Sequence, residues 1–192
     1  MAVPSPPSKS DLRKPAQAKR RAYAASLDRE LRDHLETQLA ERMVPHLFEA
    51  RVVAGYHPMR DEISVYPLLG MLGKGQTAAI PWFAVRDAVM MFRRAPATEA
   101  GPWGVLQPPA DAPVLRPDVV LVPLVLADRT GTRIGQGKGH YDRALAHLRQ
   151  SARPLCIGVA WEFQIVDEPL PADPWDIKLD AIATPAEWIS CR

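Results

Sequence analysis

Residues 133–145, RIGQGKGHYDRAL, set Gly135, Gly137 and Gly139 at alternating positions, with Lys138 between the last two and Arg133 and Asp142 on either side. A tight turn needs one glycine or two. A third, interleaved with a lysine, lets successive backbone amides approach an anion with no Cβ in the way. Lys138 and Arg133 add fixed positive charge suited to phosphate oxygens. Asp142 falls in the first turn of the helix that HYDRALAHLRQ predicts, where it can face a divalent cation bridging phosphates. The loop is not a Walker P-loop, because no Gly-Lys-Ser/Thr occurs, and its GxGxG spacing is not the GxGxxG of a dinucleotide fingerprint. Taken alone, the spacing fits either a phosphate site or a structural turn.

The segments on either side place this loop. DVVLVPLVLA (118–127) is apolar on both faces, as a strand covered on two sides must be. RVVAGYH (51–57), TAAIPWF (77–83), DAVMMFR (87–93), PLCIGVAW (154–161) and LDAIAT (179–184) read as further strands, the Met90–Met91 pair filling core or strand faces. From Ser26 to Leu47, Leu27, Leu31, Leu35, Leu39, Met43 and Leu47 recur every fourth position, predicting a helix with Ser26 as N-cap and Pro45 disturbing its end. DEISVYPLLGMLGKG predicts a helix weakened by Pro67, residues 95–117 a long proline-rich surface loop, and PAEWI a last turn of helix. Strands alternating with helices predict an α/β fold: a single three-layer α/β/α domain with a largely parallel central sheet. In such sheets ligands collect beyond the carboxyl ends of strands, where a helix N-terminus offers free N–H groups. The glycine loop occupies that position.

Composition narrows the class. A chain of 192 residues, 47% hydrophobic and 24% charged, is expected to form one globular domain, here residues 9–192 behind a flexible tail of residues 1–8. No apolar run approaches the ~18 residues that span a bilayer, and MAVPSPPSKS lacks the apolar core of a signal peptide. Two cysteines, Cys156 in an apolar run and Cys191 near the end, read as reduced thiols of a cytoplasmic protein. A net charge of +2 is too small to indicate a nucleic-acid binder by itself, and a monomer with no nucleic-acid or membrane partner is expected. The charge is nevertheless concentrated in KSDLRKPAQAKRRAYA, which is either a solvated basic helix or a surface that meets phosphate. Lys9 and Arg13 share a helical face. Pro15, which suits only a first turn, predicts a start at Ser10 or later with Lys9 at or before it. His34, His46 and His147 lack ligand spacing and read as surface or structural.

Taken in order, five separated segments resemble the 5-formyltetrahydrofolate cyclo-ligase family. GTRIGQGKGHYDRAL is similar to that family's G-x-R-L-G-x-G-x-G-Y-Y-D signature, and KSDLR (9–13) to its Lys-x-x-x-Arg segment before a basic run. YHPMRDEIS (56–64) resembles the stretch carrying a folate-contacting glutamate, and PWGVLQP (102–108) a tryptophan-containing loop. GVAWEFQIV and LPADPWDIKLDAIAT resemble the C-terminal pattern of a glutamine and a later Asp-x-x-x-Asp. The resemblance runs from Lys9 to about Trp188. It departs at His140, where tyrosine is usual, and at Ser64, where threonine is common.

The resemblance implies an ATP- and Mg²⁺-dependent closure of 5-formyltetrahydrofolate to 5,10-methenyltetrahydrofolate. On this reading Lys9 and Arg13 hold ATP phosphates, and Arg133, Ile134, Gly135, Gln136, Gly137, Lys138, Gly139, His140 and Tyr141 form the nucleotide loop. Lys138 and Arg133 stabilise the transferring phosphoryl group, and Asp142 and Asp176 hold Mg²⁺. Glu62 accepts from the pterin, while His57, Trp103 and Tyr141 line the folate pocket. On the residues alone, Asp176 can equally cap a turn, Glu62 can be a first-turn acid, and Trp103 can be packing. The competing functions are a non-catalytic folate- or phosphate-ligand-binding relative and, last, an RNA-associated protein using the basic N-terminal helix.

Overall fold

A computed structural model describes residues 7–191; the first six residues of the expected tail lie outside the described region. In chain order the elements are α1 (Lys9–Ser26), α2 (Arg29–Met43), β1 (Val52–Ala54), α3 (Tyr66–Gly70), β2 (Thr77–Trp82), β3 (Met91–Arg94), β4 (Glu99–Ala100), β5 (Leu106–Gln107), β6 (Val119–Pro123), β7 (Leu126–Asp128), β8 (Arg133–Ile134), α4 (His140–Leu148), β9 (Leu155–Val159), β10 (Ile165–Val166), β11 (Ala181–Ala183) and β12 (Trp188–Ser190). Seven strands form the main sheet in the order β12-β11-β9-β6-β1-β2-β3. All its neighbours are parallel except the two edges, β2–β3 and β11–β12.

The apolar pattern of the central strand becomes two cores. Val119 and Leu121 of β6 join Val53, Ile157 and Val159 beneath α2 and α3, through Leu39, Met43 and Leu68. Val120 and Val122 point the other way, joining Ala54, Cys156 and Ile182 beneath Ala144 and Leu145 of α4. Helices cover both faces, so three layers form as the alternation requires. From β1 the chain steps outward to β2 on one side and later to β6, β9 and β11 on the other. That reversal opens a crevice at the carboxyl ends of β1 and β6.

Several local expectations are corrected. The apolar run 118–127 is not one strand. It breaks at Leu124–Val125, and β7 leaves to build a three-stranded sheet, β10-β7-β8. Ser26 is not an N-cap; it ends α1, its hydroxyl donating to the Tyr23 carbonyl at 2.7 Å. Asp28 caps α2 by accepting from the Leu31 N–H at 2.8 Å. Helix α1 begins at Lys9 behind a Ser8–Asp11 capping box and continues through Pro15. Its second half is held by tertiary contacts, with Arg20 buried and the Tyr23 ring 5.4 Å from Trp161 and 4.8 Å from Phe163. The proline-rich loop contains the β4–β5 hairpin. PAEWI turns through Thr184 and Glu187 into the antiparallel edge strand β12, pairing with β11 rather than coiling.

The β7–β8 hairpin is tied to distant chain. Gly131, at φ 85°, accepts through its carbonyl from the Leu179 N–H at 2.9 Å. A Cβ at Gly131 would stand 2.4 Å from the Leu179 carbonyl oxygen. Asp128, buried beside it, accepts from the Thr130, Thr132 and Leu170 N–H groups at 2.9, 3.1 and 2.9 Å. Burial alone would raise its pKa, but these bonds outweigh burial and hold it below the ordinary value.

Candidate functional site

A cavity of about 410 Å³ opens at the crevice and is lined from three directions. The ends of β1, β2 and β6 supply Tyr56, Phe83 and Pro123, the β4–β5 hairpin supplies Trp103 and Val105, and the glycine loop supplies Gly135 through Tyr141. The volume is that of a small-molecule pocket. Gly139 caps α4 without a side-chain hydrogen bond, so the amides of the first turn, which have no intrahelical partner, remain available to an anion. Gly137 has φ 85°, and a Cβ there would lie 3.2 Å from the Arg13 guanidinium carbon, so this turn excludes a side chain twice over. Among the described residues the Lys138 ammonium has no carboxylate partner.

Helix α1 runs along the loop with one polar face. Lys9, Arg13, Gln17 and Arg20 are spaced four, four and three apart, which puts them in a single row. Lys9 is ion-paired with Asp173 at 2.7 Å and with Asp176. Partial burial works against its charge, but the two carboxylates outweigh it and hold the pKa above the ordinary value. Arg13 Nε donates to the Gly135 carbonyl at 2.8 Å, and Gln17 Nε2 to Gln136 Oε1 at 2.7 Å. Arg20, 2% exposed, donates to Asp61 at 2.9 Å and to the Leu124 carbonyl at 3.0 Å, with Glu62 Oε1 3.6 Å away.

Glu62 is buried in the cavity wall. Burial raises its pKa, opposed by the Met59 N–H at 3.0 Å, the Arg20 charge and the Gln136 amide at 3.4 Å. Its carboxyl oxygens are the kind of acceptor that N–H donors would meet. The loop that carries it is pinned by the Tyr56 hydroxyl, which donates to the Ile63 carbonyl at 2.7 Å. His57 lines the same cavity, its Nδ1 2.7 Å from the Tyr66 hydroxyl. The Tyr141 hydroxyl is buried there without a hydrogen-bond partner. Burial, reinforced by the Glu62 charge, pushes its pKa up, so it remains a donor.

Across the opening, Phe83, Trp103 and His140 form a ring cluster with centroid separations of 4.7, 4.9 and 4.8 Å. Burial, then the charges of Arg143 and Lys138, lowers the His140 pKa, so a neutral ring faces the cavity near neutral pH.

Of the remaining expected residues, Arg133 also lines the cavity, while Ile134, Asp142 and Asp176 lie outside the lining. Ile134 stands in the core, 1% exposed, its carbonyl accepting from Val125. Arg133 is buried, ion-paired with Asp142 at 2.6 Å and bonded to the Ile177 carbonyl. Asp142 also accepts from the Ile177 N–H at 3.1 Å. Asp176 precedes that residue, its carboxylate accepting from the Asp173 N–H at 2.6 Å and from Lys9. Among the described residues no group of three or more metal-ligating side chains occurs. A magnesium ion needs only one or two carboxylates when phosphates and water supply its other oxygens, and Asp142 Oδ2 and Asp176 Oδ1 take no part in the bonds that hold their partner oxygens.

Three contributors were hidden in the sequence. Arg20 is masked by its basic run, and only its position on the row of Lys9 and Arg13 signals it. Phe83 is signalled by its place one residue past the end of a strand. Gln107 fixes the hairpin, accepting from the Phe83 N–H at 3.1 Å; it sits in the Gln-Pro pair that closes the tryptophan-containing stretch 102–108, where only the tryptophan was expected at the site.

Comparison with known proteins adds an independent line. The model of the 5-formyltetrahydrofolate cyclo-ligase family matches residues 5–185. The 5-formyltetrahydrofolate cyclo-ligase of Escherichia coli (strain K12) is 32% identical over 177 residues, covering 85% of this chain and 96% of that protein. The NMR structure of Aquifex aeolicus 5,10-methenyltetrahydrofolate synthetase superposes with a TM-score of 0.76 at 30% identity, over 96% of this chain and 93% of that one. A 5,10-methenyltetrahydrofolate synthetase from Mycoplasma pneumoniae gives 0.68 at 26% identity, over 92% and 98%.

Proposed function

The chain belongs to the 5-formyltetrahydrofolate cyclo-ligase family, and from that premise we propose that it closes 5-formyltetrahydrofolate to 5,10-methenyltetrahydrofolate at the expense of ATP, as a cytoplasmic enzyme. The observation that carries this reading is the meeting of two recognition chemistries in one cavity. An amide-rich loop bearing the unpaired Lys138 lines it together with the buried Glu62 carboxylate.

In the proposed reaction the formyl oxygen attacks the γ-phosphorus and ADP leaves. N10 then attacks the formyl carbon and loses its proton, and the carbon–oxygen bond breaks as phosphate departs with the former formyl oxygen. Such a transfer asks for charge neutralisation and alignment rather than a protein nucleophile. The loop amides and Lys138 hold the phosphates and neutralise charge on the transferring group. Lys9, Arg13 and Arg133 hold the tail of the phosphate chain and the loop itself. Asp142 and Asp176 would hold a magnesium ion, which would supply further charge neutralisation. Glu62 accepts from the amino and ring N–H groups of the pterin, and Tyr141, His57 and Trp103 flank it.

The test is an absorbance assay at the methenyl product's ultraviolet band with folded protein, ATP, Mg²⁺ and 5-formyltetrahydrofolate. An ATP-dependent rise is expected. Tight folate binding with no rise and no ADP would instead identify a non-catalytic relative.

A further inference from the structure

Gln136 belongs to the glycine loop through its backbone, but its side chain leaves it. The amide oxygen accepts from Gln17 Nε2 at 2.7 Å, and the amide nitrogen donates to Glu62 Oε1 at 3.4 Å. Glu62 Oε2 is committed to the Met59 N–H at 3.0 Å, whereas Oε1 has only Gln136 and, at 3.6 Å, Arg20. The amide thus joins the phosphate-type loop to the less constrained oxygen of the carboxylate on the other side of the cavity.

The loop has room to settle. A Cβ at Gly135 would meet nothing within 4 Å, and Gly137 follows on the other side of Gln136. A hydrogen bond of 3.4 Å is at the long end of the useful range, so a small shift of the loop changes it steeply. Anything that fixes the loop backbone therefore fixes the Glu62 carboxylate, and anything that orders the carboxylate orders the loop.

We propose that Gln136 is a positioning residue that couples the two halves of the cavity, so that a nucleotide on the loop and a folate on Glu62 each tighten the other. This inference rests on the reading under Proposed function. Linkage makes the effect reciprocal: the factor by which nucleotide tightens folate equals the factor by which folate tightens nucleotide.

The experiment is calorimetric titration of the full chain with 5-formyltetrahydrofolate, with and without Mg²⁺ and a non-hydrolysable ATP analogue. The readout is the ratio of the two dissociation constants, which cancels whatever a substitution does to either site alone. In the native chain the analogue is expected to tighten folate by about fivefold or more. In Gln136→Leu the ratio falls below about twofold, and in Gln17→Leu, which frees the other end of the amide, it is intermediate. Gln136→Ser replaces the leucine variant if circular dichroism shows the latter misfolded.

A native-like ratio in Gln136→Leu overturns the proposal. So does complete loss of nucleotide binding in that variant, which would make Gln136 a direct ligand contact. Independent binding of both ligands to the native chain overturns this inference alone. Failure of the native chain to bind either ligand overturns the functional reading with it.

Discussion

Along α1, Lys9, Arg13, Gln17 and Arg20 each meet a fixed polar partner at the edge of the cavity. Across the opening, Phe83, Trp103 and His140 are arranged chiefly by contact with one another. The first wall is directional: every group has a geometry it must keep, and the charges of Lys9 and Arg20 are balanced before any ligand arrives. The second is adaptable, since apolar contact depends on area more than on angle. Lys138, on the loop, is the exception on the charged side: among the described residues its ammonium has neither a hydrogen-bond nor an ion-pair partner.

The largest effect should come from removing that exception. Lys138→Ala is expected to lower turnover by about 10²–10³, the range for losing one preorganised stabilising group, with an unchanged melting curve because the side chain is exposed. A near-native rate would reduce the lysine to solvated surface.

Arg20→Met tests the balanced charge. Removing a buried guanidinium strands Asp61 and Glu62, and unfolding in urea should show a loss of about 3 kcal/mol, the lower end of the range because Asp61 is partly exposed. A loss below about 1 kcal/mol would mean that the row on α1 is held by packing rather than by pairing.

Glu62→Gln sharpens the comparison through pH. Burial raises this carboxyl above its ordinary 4.5, so the folded chain keeps the proton longer than the unfolded chain does. Its contribution to stability is full below about pH 4.5 and is lost as pH climbs through the raised folded value. The glutamine variant lacks that downward slope, so urea unfolding at a series of pH values should show it gaining on the native chain as pH rises. Its affinity for 5-formyltetrahydrofolate should fall by about tenfold to a hundredfold, the loss of hydrogen bonds to a charged acceptor.

The smallest effect belongs to the adaptable wall. Trp103→Ala removes ring contacts worth about 1 kcal/mol and should raise the KM for folate by several-fold, with little change in melting temperature because the ring is partly exposed.

How far the sequence reached follows the same division. Local patterns were legible where one physical cause dominates. The unbroken apolar run Val119–Val122 predicted a doubly covered strand, and the glycines predicted a loop that lines the cavity. Patterns failed where a distant partner decides. Nothing near Pro15 says that Arg20 and Tyr23 will hold the helix beyond it, and nothing near Trp188 says that β11 will be waiting to pair. The β4–β5 strands are two residues each, too short for periodicity to register. At the site, residue types were readable but pairings were not: Arg133 with Asp142, and Lys9 with Asp173 and Asp176, arise only when strand ends and loop are assembled.

The contact of Gly131 with Leu179 leaves no clearance at the seam between the hairpin and the last quarter of the chain. One methyl group at position 131 would lift the backbone that follows Asp176, and with it the Ile177 carbonyl that anchors Arg133. A position remote from the cavity lining thereby sets the tolerance to which the Arg133 end of that cavity is machined.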